Sequence, residues 1–183
     1  MGKPQPPYLT AMLGISLLLA GCSSATTAPC EASMGSQRCH VERLLYRNDM
    51  LQAKMLIASG DPGNYELAGA LLDRAQPFDE RGEVSFYKAL LKIKEGPQVS
   101  EVLPLLEHAA DAGQPYAVAL LYKVWSEPYL VAQANPGKAL RYRRAYSGLD
   151  VARSGYPSFE QSLMVVDNLL APPPALASQQ VRR

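Results

Sequence analysis

Two histidines, three cysteines and one tryptophan in 183 residues leave little from which to build a reactive centre. Only His40 and His108 can serve as imidazole bases. His108 stands beside Glu107 in an alanine-rich stretch, with no serine or cysteine nucleophile in a recognisable context. There is no Gly-x-Ser-x-Gly, no His-Glu-x-x-His and no phosphate-binding loop. Asp79, Glu80 and Glu101 supply carboxylates, but at helix starts, where acids complement the macrodipole without further purpose. The expectation is a protein that is not an enzyme, with no catalytic residue, no cofactor and no metal. Charge of one sign is lacking too: 18 basic side chains face 17 acidic ones, which argues against a nucleic-acid partner. No apolar run reaches the roughly 20 residues that a membrane-spanning helix needs. No period-two alternation marks a strand.

What is present begins at the N-terminus. A short stretch whose only charge is Lys3 leads into an apolar run, Ala11 to Ala20, which ends in Gly21-Cys22. Charged start, apolar middle and small residues at the end are the layout of a secretory signal peptide. Leu19-Ala20-Gly21-Cys22 resembles the lipobox of bacterial lipoproteins. The resemblance implies cleavage before Cys22, acylation of its thiol and of the new amine, and a lipid anchor. Three acyl chains at about 0.8 kcal/mol per buried CH₂ far exceed what stable anchoring needs. Ser23 rather than Asp after Cys22 resembles the pattern of lipoproteins carried to the outer membrane, and implies a protein anchored there on its periplasmic side. Loss of Lys3 on cleavage leaves 17 basic side chains against 17 acidic.

Cys30 and Cys39 then form an even pair in an oxidising compartment, which favours a disulfide. The bridge would stabilise the fold by about 2–3 kcal/mol through loop entropy. His40 beside Cys39 suggests a metal site instead, but two thiols and one imidazole at this spacing match no zinc motif.

The expected organisation is a signal peptide over 1–21, a lipidated flexible tether over 22–37, a helical repeat domain over 38–170 and a disordered Pro-rich tail over 171–183. The tether is rich in Ser, Thr, Ala and Gly. The tail opens on Pro172-Pro173-Pro174, which enforces extended geometry. Between them the apolar period is helical throughout. Val41, Leu44, Leu45, Leu51, Met55 and Leu56 fall on one stripe of a first helix. Gly60-Asp61-Pro62-Gly63 breaks it, and Asn64 is placed to cap a second. A third runs from about Glu83 to Gly96-Pro97. A fourth follows with Ser100 at its cap, and a fifth opens at Pro115. The sixth spans about Pro136 to Arg153, and a seventh follows Gly155-Tyr156-Pro157.

The segments repeat. Leu72 and Ala75 match Leu106 and Ala109 after 34 positions, and Tyr142 and Ala145 after another 36. Such a period reads as stacked helix–turn–helix units, against the alternative of an irregular bundle whose spacings agree by chance. Ala109-Ala110-Asp111-Ala112-Gly113-Gln114-Pro115-Tyr116-Ala117 with Leu120-Leu121-Tyr122 resembles the core of a Sel1-like repeat, of the tetratricopeptide type. Lys138 to Ala145 resembles the second helix of that unit. The fold class implied is an all-α, short α-solenoid. The family's glycine-rich turn is replaced by the more apolar Trp125-Ser126-Glu127-Pro128-Tyr129-Leu130. Members of the family act as scaffolds for assembling other proteins.

Two features suit binding. Lys138, Arg141 and Arg144 fall at three-residue steps with Tyr142 among them, a stripe able to grip an acidic protein or an anionic polysaccharide. A solvated helix face explains the same pattern. Trp125 and Tyr129 lie near a loop, where such residues serve interfaces as often as cores. The function expected is a lipid-anchored scaffold in a cell-envelope assembly for secretion, pilus formation or exopolysaccharide export. The alternatives are an immunity protein against a periplasm-acting toxin, and a glycan-binding accessory or envelope enzyme.

Overall fold

The computed structural model describes Gly2 and residues 37–96 and 98–171. The signal peptide, Cys22, Cys30, most of the tether and all but the first residue of the tail lie outside the described residues. The chain divides into two compact units, Met1–Cys39 and His40–Arg183. In the first, Cys39 is buried and disulfide-bonded.

The described residues form helices and turns without strands, an all-α fold of the repeat-like kind that the periodicity indicated. The helices are α1 (Gln37–Ser59), α2 (Tyr65–Ala75), α3 (Glu83–Glu95), α4 (Val99–Asp111), α5 (Pro115–Ser126), α6 (Pro136–Ser147), α7 (Asp150–Ser154) and α8 (Phe159–Leu170). Glycine and proline set most boundaries. Pro115 and Pro136 occupy first-turn positions of α5 and α6, where a missing N–H costs nothing. Gln114 and Asn135 accept from the backbone amides of Tyr116 and Lys138 to cap those helices. Ser158 and Gln161 close a reciprocal capping box at the start of α8.

Three local expectations are corrected. Asn64 precedes α2 but makes no side-chain cap; its amide donates to Ser59 Oγ at 3.2 Å, while Asp61 caps the short turn before it. Ser100 lies inside α4, which starts one residue earlier. The sixth helix does not reach Arg153: it stops at Ser147, Gly148 follows, and α7 begins anew at Asp150.

Packing runs along the chain, with α2 on α3, α3 on α4, α4 on α5 and α5 on α6. The exception is α8, which folds back against α5 and α3. A central core joins Phe86, Leu90, Leu106, Leu120, Leu121 and Val166 among others, all fully buried. A second cluster seats Met50, Ala53 and Ile57 of α1 on Ala68, Leu72 and Val84. The repeat shows in burial at Leu72, Ala75, Leu106 and Ala109. The third pair departs from it, because Ala145 is exposed and Ala139 and Tyr146 turn inward instead.

Gly82 shows why the helices come so close. Its φ of +69° suits glycine, and an added Cβ would stand 2.6 Å from Ala109 Cα and 2.7 Å from Ala109 O. Lacking a side-chain cap at Gly82, α3 takes one from further back. Asp79 accepts from the amides of Val84 and Ser85, each at 3.0 Å, and from the Ser85 hydroxyl.

The first helix presents a different face from the one its apolar stripe suggested. Val41, Leu44, Leu45, Leu51 and Met55 are exposed, and only Leu56 of that set packs against the core. The helix is also held by charge. The Arg74 guanidinium donates twice to the buried Asp49 carboxylate, Nε to Oδ2 at 2.7 Å and Nη2 to Oδ1 at 2.5 Å. Lys54 pairs with Glu83, to which Tyr46 also donates.

Candidate functional site

Residues of α4 and α6 together line a cleft of about 220 Å³: Glu107, Asp111, Lys138, Arg141 and Tyr142. Helical spacing builds it from both sides. Glu107 and Asp111 are four apart, so both carboxylates occur on one face of α4. Lys138, Arg141 and Tyr142 share the facing side of α6, while Ala139 and Tyr146 are buried beneath. Burial raises the Tyr142 phenol pKa above its usual value; Glu107 and Asp111 raise it further and Arg141 opposes them. Two cations therefore confront two anions across one small polar opening.

The residues singled out from sequence are only partly gathered here. Lys138, Arg141 and Tyr142 line the cleft, but Arg144 does not, because each three-residue step turns the stripe about 60° backwards around the helix. Arg144 is exposed and, among the described residues, makes no ion pair. Trp125 is half-buried beside the cleft, with the Lys138 ammonium 3.8 Å from its ring centroid. Its indole N–H is buried and has no hydrogen-bond acceptor among the described residues. Tyr129 is half-buried against the central core, and burial raises its pKa, with Lys123 opposing. The apolar loop 127–135 is thus pulled inward: Tyr129, Leu130 and Val131 all pack on the core, and Leu130 adopts a positive φ of 57° there.

On the other flank of α6, a shallower groove of about 230 Å³ is lined by Tyr122, Ser126, Pro136, Ala139, Leu140 and Arg143. Arg143 is already engaged, over the Phe159 ring at 4.9 Å and 3.5 Å from Glu160. His108 and His40 are exposed. Among the described residues no group of three or more His, Cys, Asp or Glu is placed to hold a metal ion. None of the described helices is long and apolar enough to cross a membrane.

Glu107 and Asp111 were not identified as site residues from the sequence. The signal was available as an acidic pair at four-residue spacing, one helix pair before the basic one. Its meaning depended on α4 and α6 lining one cleft, which spacing alone does not give. No protein-family model matches the chain, and neither the curated proteins nor the solved structures yield a match.

Proposed function

We propose that this chain is a lipid-anchored scaffold on the periplasmic side of the outer membrane, holding a protein partner of a secretion, pilus or polysaccharide-export assembly. Cys22 carries the anchor, and the Sel1-like helical stack carries the binding surface. The observation that bears most weight is the mixed charge of the cleft between α4 and α6. At about 220 Å³ it is smaller than the roughly 300–1,000 Å³ of small-molecule sites. It suits one or two side chains of a docked protein. Paired signs favour a protein segment over a uniformly anionic polysaccharide, which Glu107 and Asp111 would repel.

The test is crosslinking and affinity capture of the acylated protein from its own cells, comparing Arg141→Glu with Arg144→Glu. Arg141 lines the cleft and Arg144 does not, so the first variant should lose the partner and the second retain it, with unchanged helical signal in both. Equal capture by the two variants would remove the cleft from the binding surface. Cys22→Ser, in the same cells, should abolish acylation and membrane fractionation.

A further inference from the structure

The first helix uses one apolar face within its own domain and leaves another exposed. Tyr46, Met50, Ala53 and Ile57 turn towards α2 and α3. On the opposite side Val41, Leu44, Asn48, Leu51, Met55 and Ala58 are all exposed. Their spacing alternates three and four, so they read as heptad positions a, d, a, d, a, d over about 27 Å of helix. Five apolar side chains on this side, Leu45 included, are each between 49% and 65% exposed. At roughly 100 Å² apiece they would contribute about 1,000 Å² between two copies, the lower bound of a specific interface.

We propose that α1 pairs in parallel with α1 of a second copy of this chain, along this stripe. The area on offer fits a second copy, and Asn48 with the flanking residues chooses its direction. The g positions are His40, Arg47 and Lys54; the e positions are Leu45, Gln52 and Ser59. Parallel pairing sets each g against an e of the partner, so Arg47 meets glutamine and no like charges confront, while Lys54 is turned back to its own Glu83. Asn48 at the central a position meets its own copy only when the helices are parallel and in register, which is how a single buried asparagine fixes a two-stranded coil. A membrane surface would be better matched by an unbroken apolar strip with cations on both flanks. Here Asn48 interrupts the strip and the cations occupy one side. The stripe is short, which places the association in the micromolar range.

The test uses the full chain, purified in enough detergent that each micelle holds one chain, with mass read by sedimentation at up to about 100 µM. The expected result is a dimer that Leu44→Glu with Leu51→Glu converts to monomer while the helical signal stays. Should that variant lose its fold, Asn48→Leu supplies the second reading: it should raise the association at least severalfold and admit higher oligomers. A photo-crosslinking residue at position 41 should capture residues 41–45 of the other copy. Capture of residues 52–58 would overturn the parallel arrangement. A monomeric wild type, or a dimer indifferent to all three substitutions, would overturn the proposal. So would a monomer that binds phosphatidylglycerol vesicles through Leu44 and Leu51.

Discussion

Gly82→Ala tests the tight contact between the start of α3 and the backbone of α4. An alanine here must hold a φ of +69°, which costs an L-residue about 1–2 kcal/mol. It must also find room for a methyl 2.6 Å and 2.7 Å from Ala109 Cα and O, inside the distance that any real Cβ tolerates. Those are backbone atoms of α4, so no side-chain rotation relieves the contact, and α3 and α4 must separate at a cost of about 1–3 kcal/mol. The expected loss is about 2–5 kcal/mol, or on the order of 10 °C in Tm for a domain of this size. Gly113→Ala provides the control: its φ is +86°, yet nothing stands within 4 Å of the added Cβ, so only the backbone term of about 1–2 kcal/mol applies. Urea unfolding followed by circular dichroism gives both values. Trimming the neighbour with Ala109→Gly should not rescue Gly82→Ala, since the obstruction is not the Ala109 methyl. If the two glycine variants are destabilised equally, the close approach is not what fixes α3 against α4.

Tyr146→Phe keeps the ring against Phe159 but removes a hydroxyl that meets Pro157 O at 2.6 Å and the buried Ser162 Oγ at 2.7 Å. The loss should be about 1–3 kcal/mol, reduced when Ser162→Ala accompanies it; additive losses in chemical denaturation would refute the coupling. Stability should also decline in alkali. Burial, and then Glu83, push the Tyr87 phenol up to about 12, and the same causes raise Tyr46. Above about pH 10 the unfolded chain releases protons that the folded chain keeps, so unfolding gains and stability falls as pH rises towards 12. Tyr87→Phe should flatten that decline in pH-dependent urea melts, and an unchanged slope would show that Tyr87 does not contribute.

The helices were largely legible because glycine and proline act locally. Gly60, Gly96-Pro97, Gly113 and Pro136 interrupt the chain whatever surrounds them. The side of α1 that faces inward was not legible. Val41, Leu44, Leu51 and Met55 on one side are as apolar as Met50, Ala53 and Ile57 on the other, so the period announces a helix without choosing a face. Gly148 ends α6 where a single glycine inside a helical pattern was read through. The cleft was half legible. Lys138, Arg141 and Tyr142 lie close in sequence, whereas Glu107 and Asp111 reach them only through space. Arg144 was grouped with the others by spacing that drifts around the helix.

The return of α8 onto α5 and α3 ties the last described helix back into the stack. An open array of helix pairs can be lengthened or shortened by whole units, because each touches only its neighbours and the stabilities nearly add. Here Val166 of α8 is part of the same core as Leu106 and Leu120, so the last helix is a keystone for the middle of the chain. Deleting it would open α5 rather than merely expose a terminal unit. Local opening of α8 would therefore expose the same side chains that join α3, α4 and α5.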